Sequence, residues 1–481
     1  MKLRAVFTLL VIVLAAVGGG WWWQAGTQQA VIARGLPAGP DLSAATPALG
    51  GAVAAANGSA RGRLTARRGL VTLSRLYHAN GYFAEALACY DLLEQLEPAE
   101  PRWLHLRASI LAGYGELEPA IKLWQRVTQL APDYVAARLR LGDALLKSNQ
   151  AVPATAEYER VLQLRPDDSY ALLGLARIDL EAQQWARAKE RLETIVRQTN
   201  FNLGYDLIVS LYERLGLRDQ AAAIRGAAKA SGAYRDFPDP WLNDLMDECY
   251  DPYRLGLTAG VAAQAGDPAA AIRLLQRAIR LAPEDVSSHF QLGGIAEMQK
   301  DLKLAREQFE LCTQLSPTFP DGWAHLSDLQ ARSGEPAAAA QTLKEGLARC
   351  PDSPGLHLMR ARKLRDDRQM GGAVNEYQIS IRLRPNEPDA YVELGNLFIE
   401  LGQDDQGIRQ MQLALEADPG DPTALGLMAF RAISTGHEGE ARHWLNRVAL
   451  QPRVPRDQSS VLYQAYQQAF NRPFTADRPA D

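Results

Sequence analysis

Eight prolines keep step with a 34-residue period. Pro98, Pro132 and Pro166 form one run, and Pro283, Pro317, Pro351, Pro385 and Pro419 form another. Proline lacks an amide hydrogen and clashes with the preceding helical turn, so a proline returning at a fixed interval marks one kind of helix end used again and again. The interval is too long for one ordinary helix of about a dozen residues and suits a helix–turn–helix pair.

Alignment on the prolines exposes two apolar stripes per unit. Leu141-Gly142, Leu145, then Ala154, Tyr158 and Val161 fill the same slots as Leu292-Gly293, Ala296, then Ala305, Phe309 and Cys312. Tyr391, Leu394-Gly395, Phe398, then Gly407, Met411 and Ala414 fill them again. The spacings i, i+3, i+4, i+7 and i, i+4, i+7 each describe one face of an amphipathic helix. Small residues (Gly142, Gly293, Gly395, Ala154, Ala271, Ala305, Ala373) are expected where paired helices cross. Tyr90, Trp124, Tyr158, Phe309 and Tyr377 are expected to fill the space towards the next unit. Gly266-Asp267-Pro268, Gly334-Glu335-Pro336, Ser353-Pro354 and Asp421-Pro422 read as a turn or cap followed by proline at the first helical position.

On these residues the chain resembles the tetratricopeptide repeat (TPR) proteins, with units at 67–100, 101–134, 135–168, 169–202, a degenerate 203–230, 252–285, 286–319, 320–353, 354–387, 388–421 and 422–453. The resemblance implies an all-α fold, a right-handed α-solenoid of about eleven repeats. Two arrays are expected, 67–230 and 252–453, separated by an insertion at 231–251. A capping helix at 454–470 and a tail at 471–481 follow, because the open end of a repeat stack must be covered.

The chain opens with Lys2 and Arg4 and then has no charged residue from Ala5 to Trp23. That pattern predicts a signal anchor at residues 1–23, with Trp21, Trp22 and Trp23 at the bilayer interface, or alternatively a cleaved signal peptide. Both readings put the repeats outside the cytoplasm: membrane-anchored with a periplasmic body, or released there after cleavage. Residues 24–62, rich in Gly, Ala and Pro, are expected to be a flexible linker.

The break between the arrays carries Tyr234, Phe237, Trp241 and Tyr250 among Asp236, Asp239, Asp244, Asp247, Glu248 and Asp251. It reads either as a connector whose aromatics pack on the exposed repeat ends, or as a recognition element centred on Trp241. The acid spacing does not match an EF-hand loop.

Signals for chemistry are weak elsewhere. Cys89, Cys249, Cys312 and Cys350 form no Cys-x-x-Cys. Cys89 and Cys312 lie on second-helix stripes as small buried hydrophobes, while Cys312 and Cys350 stand on neighbouring second helices where a disulfide is conceivable. No phosphate loop, nucleophile elbow or zinc-protease motif occurs, and no catalytic residue, metal or cofactor is expected. A net charge of −4 argues against nucleic acid. What remains is a protein-binding surface. The TPR resemblance implies that first helices line the inner face, which places Arg75, Arg140, Asp143, Arg177, Asp328, Arg362 and Asn396 there. Arg140 and Arg177 are the nearest pair to a carboxylate clamp, but the clamp's Lys and Asn partners are missing. The run Arg360–Arg365 offers Arg362 and Arg365 to an acidic segment. The expected function is a non-enzymatic scaffold for a protein or peptide partner. An assembly factor for an envelope, polysaccharide or secretion complex is the alternative, and an enzyme with an unrecognised site is the remote one.

Overall fold

The structure is a computed structural model, and it describes residues 22–43, 45–198, 202–217, 220–221, 224, 236–449, 451 and 454–476. All regular elements among them are helical. After a helix α1 at residues 22–35 come α2 (Pro47–Arg61), α3 (Ala66–Ala79), α4 (Phe83–Leu96), α5 (Pro101–Gly113) and α6 (Leu117–Leu130). They are followed by α7 (Val135–Lys147), α8 (Ala151–Leu164), α9 (Ser169–Glu181) and α10 (Trp185–Gln198). Further helix pairs run from Pro252 to Ala449, and a final helix spans Arg456–Phe470.

The punctuation read from the sequence is physical. Second helices end at Leu96, Leu130, Leu164, Leu281, Leu315, Arg349, Leu383 and Ala417, each two residues before a periodic proline. Within each pair the turn needs one residue of left-handed backbone. That residue is Gly at 81, 115, 266, 334, 402 and 436, and Asn149, Gln183, Lys300 or Arg368 elsewhere, all on the 34-residue period. Asp267, Ser353 and Asp421 cap their helices through their side chains, each ahead of a proline at the first position. Packing follows the same repeat. A Cβ on Gly142 would stand 2.7 Å from Tyr158, and one on Gly293 would stand 2.6 Å from Phe309. Tyr90, Trp124, Tyr158, Phe309 and Tyr377 are all buried.

The described residues form two compact units. The first contains the described residues up to Gly204 together with those of the stretch ending at Pro283; one core of it runs from Leu104 to Leu175 and takes in Phe237. The second contains the described residues of 205–232 and those from Glu284 onwards. Its C-terminal core joins Met411, Leu425, Met428 and Leu445 to Leu462 and Tyr466 of the last helix. The division departs from the expected 67–230 and 252–453, because the helix pair Pro252–Gln264 and Pro268–Leu281 groups with the first unit.

The N-terminal linker is also different from expectation. Within 24–62, α1 and α2 are helical, and Leu49, Val53, Ala56 and Ala60 form a buried stripe at helical spacing on α2. Thr46 caps that helix through its hydroxyl, Pro47 opens it, and Gly69 of α3 allows the two backbones to touch at Ala60. Its small residues permit close packing, and burial rather than propensity holds the helix. The anchor expected at residues 1–23 lies outside the described residues except for Trp22 and Trp23, which are exposed. Among the described residues no helix is long and apolar enough to cross a membrane. Cys312 and Cys350, considered for a disulfide, are free thiols facing the carbonyls of Val286 and Pro317 at 3.7 and 3.6 Å.

Candidate peptide groove of the first unit

First helices α3, α5, α7 and α9 stand side by side, and the stretch from Asp236 to Tyr250 lies across them. Its order of contact reverses the order of the repeats. Asp236 meets α9 and α7: its backbone carbonyl accepts from the Tyr170 hydroxyl at 3.1 Å, and its carboxylate pairs with Arg140 at 2.7 Å. Phe237 lies edge-on to Tyr170, with the Arg140 guanidinium 4.4 Å from its ring centroid. Three residues on, the segment reaches α5, and further on it reaches α3. There Arg75 donates to the Asp244 carbonyl at 2.7 Å. Asn80, just past the end of α3, donates to the Glu248 carbonyl and accepts from the Tyr250 amide, both at 2.8 Å.

At the centre of this contact sits Asp239, which is only 2% exposed. His105 of α5, fully buried, contacts it through Nε2 at 2.8 Å. The indole of Trp124 can only donate, and it does so to His105 Nδ1 at 3.2 Å. Nε2 therefore carries hydrogen and donates to Asp239. The Tyr134 hydroxyl donates to the other carboxylate oxygen at 2.7 Å and accepts from the Trp241 amide at 3.0 Å. Burial alone pushes the Asp239 carboxyl up, but the hydrogen bonds from His105 and Tyr134 and the charge of Arg140 hold it below the ordinary value of 3.8. Trp241 then closes the site, stacked on Tyr134 with ring centroids 3.6 Å apart and edge-on to His105 at 5.4 Å. A buried carboxylate is tolerable only when its lone pairs are filled this way.

The structure thus brings Arg75, Arg140 and Trp241 into one site. Asp143 and Arg177 are beside it: Asp143 accepts from the Tyr158 hydroxyl at 2.6 Å, its carboxyl pushed up by burial while Arg177, Arg140 and Lys147 oppose that shift. Asp328, Arg362, Arg365 and Asn396 belong to the second unit and are not gathered. Asp328 pairs with Arg332 one turn on at 2.8 Å, and Arg365 lies 3.7 Å from Asp366. Arg362 grips Glu393 with both Nε and Nη2, leaving it committed within the unit, and Asn396 is half-buried.

His105, Tyr134 and Tyr170 did not stand out from the sequence. A signal existed for the first. His105 occupies the slot filled by Val71, Leu139 and Leu173 in neighbouring repeats, and a histidine on an apolar stripe needs a buried partner. The described part of the 231–251 insertion packs within the first unit. Phe237 and Trp241 pack against Tyr170, Tyr134 and His105 along the row of first helices, whereas the Tyr250 ring meets Arg277 of the helix Pro268–Leu281 at 4.9 Å. The insertion's acids are divided among partners: Asp236 and Asp239 as above, Asp247 3.7 Å from Arg273, and Asp251 capping the next helix.

Stacked helix pairs with a polypeptide laid across one row of helices define a helical-repeat protein with a peptide-accommodating groove. Tetratricopeptide repeat models match residues 106–169, 259–318 and 358–422, residues 153–211, and residues 320–362, together more than half of the chain. The chain belongs to the tetratricopeptide repeat family. Among curated relatives it is 36% identical over 74 residues to the TPR repeat-containing thioredoxin TTL4 of Arabidopsis thaliana, covering 15% of this chain. It is 25% identical over 202 residues to the cellulose synthase operon protein C of Xanthomonas axonopodis pv. citri (strain 306), covering 33% of this chain. The matches span only 11% and 13% of those two proteins. Similar solved structures include yeast Tom70 (14% identity, 83% of this chain and 94% of that one, TM-score 0.41). MamA from Desulfovibrio magneticus RS-1 is another (16% identity, 35% and 96%, TM-score 0.30).

Proposed function

We propose that this chain is a non-enzymatic TPR scaffold that binds a protein or peptide partner at the extracytoplasmic face of a membrane. The observation that carries the binding part is the groove of the first unit. It already lodges a polypeptide through backbone carbonyls, one backbone amide, a buried carboxylate and a stacked indole. A surface that reads main chain and side chains together is suited to peptide recognition. The location rests on the uncharged run Ala5 to Trp23 behind Lys2 and Arg4.

A second reading is an assembly factor for an envelope or polysaccharide complex, favoured by the similarity to a cellulose synthase operon protein. The two separate in one experiment. Photo-crosslinkers are placed at Asn396, Asp328 and Tyr114 of the full chain in native membranes, with and without residues 1–23 replaced by a cleavable signal. Discrete adducts that survive release from the membrane support the simple binder. Adducts that vanish on release support the assembly factor. No adduct from any position, in either form, overturns the scaffold reading.

A further inference from the structure

The segment from Asp236 to Tyr250 covers only part of its groove. Towards the C-terminal ends of α5 and α7 it leaves a pocket of about 450 Å³. One wall is aromatic: His78 lies edge-on to Phe83 at 5.8 Å, and Phe83 edge-on to Tyr114 at 6.1 Å. Tyr114 at the end of that series is 59% exposed, which leaves one face of its ring open to a ligand. The floor is Ile110, Ala144 and Trp124, and Leu242 of the docked segment forms another wall. His78 contributes no charge: burial, with Arg254 and His105 nearby, lowers its pKa to about 3.

The charge at the rim is one-sided. Lys147 lines the pocket, is exposed and has no ion pair among the described residues. Arg140, also lining it, is shared with the docked segment. The one lining carboxylate, Asp143, is engaged by Tyr158. An apolar hollow with a free ammonium at its edge suits a large apolar side chain flanked by carboxylates. The pocket is also continuous with the contact that already holds an acidic, aromatic stretch of this chain, through Arg140 and Leu242.

We propose that this pocket is the anchor site for an aromatic side chain of an acidic partner peptide, and that the docked segment forms part of the site instead of blocking it. The proposal rests on the peptide-binding reading above and names the partner's chemistry. A pocket of this volume holds one large ring with room for its backbone, at the lower end of ordinary ligand sites of roughly 300–1,000 Å³.

Three fluorescein-labelled peptides test it against the purified full chain by polarisation: an Asp/Glu/Gly dodecamer with one central Trp, the same with Ala, and a Lys/Gly dodecamer with Trp. The acidic Trp peptide should bind about tenfold or more tighter than either control. Gly113 lines the pocket and a Cβ there meets nothing within 4 Å, so Gly113→Phe adds a ring at the pocket wall without a clash at its Cβ. That variant and Lys147→Glu should each weaken binding about tenfold with unchanged melting. Leu242→Ala should weaken it too. Equal binding of all three peptides, no binding, or indifference to Gly113→Phe and Lys147→Glu overturns the proposal. A gain in affinity for Leu242→Ala would show the segment to be a competitor and overturn the composite site. If these peptide results fail while membrane crosslinks from Asn396 or Asp328 persist, the scaffold reading stands and only this pocket is dismissed.

Discussion

Asp239 concentrates the chemistry of the first unit into one residue. With its partners filled and its pKa below the ordinary 3.8, its stabilising contribution is whole above that value and is lost as pH falls through the depressed folded value. Asp239→Asn should lower stability at neutral pH by about 2–4 kcal/mol, since it leaves His105 and Tyr134 facing a mismatched amide. It should also flatten the acid limb of the stability profile, both read from urea melts between pH 3 and 7. An unchanged acid limb would assign the acid sensitivity to other carboxylates. Trp241→Ala removes a stacked, half-buried indole and should cost about 2–4 kcal/mol. Trp241 and Arg140 were visible in the sequence as unusual residues, but their meeting was not. Residues about a hundred positions apart, such as Arg140 and Asp236, become partners only through the path of the connecting chain.

Helices and turns were the most legible level, because each repeat states the same boundary signals. The periodic proline marks the end of the second helix, and the inner turn requires left-handed backbone at a fixed position. Where that position lacks Gly, as at Lys300, a Cβ pays a conformational penalty of roughly 1–2 kcal/mol. Lys300→Gly should therefore stabilise the second unit by about 0.5–1 kcal/mol after the larger unfolded-state entropy of Gly is subtracted. Gly334→Ala at the equivalent turn should destabilise by about 1 kcal/mol. Thermal melts of the two variants check both signs, and a loss from Lys300→Gly would contradict the strain argument. Helix α2 was hidden for the opposite reason. Its buried stripe is Leu49, Val53, Ala56 and Ala60, among glycines that composition alone reads as flexible.

Across the whole molecule, the four cysteines act as reporters of folding. All are buried, and burial raises the thiols of Cys89 and Cys312 to about 12. Thiolate, the reactive form, is then scarce at neutral pH. Iodoacetamide at pH 7.5 should leave the native chain unlabelled and modify all four sites only through the unfolding transition. Rapid labelling of any one under native conditions would mark local opening around it. The sequence by itself determined the repeat: its period, its helix ends, its turns and the family it belongs to, because those are local signals stated again in every unit. Only the tertiary structure decided the grouping of the repeats. The stretch from Asp236 to Tyr250 runs back along the first helices against their order and delivers Pro252 beside α3, where Arg254 donates to the Ala79 carbonyl at 2.8 Å. That return is held at Asp236, Asp239, Asp244, Glu248 and Tyr250 by partners on four different helices or their ends, long-range contacts that no local periodicity encodes.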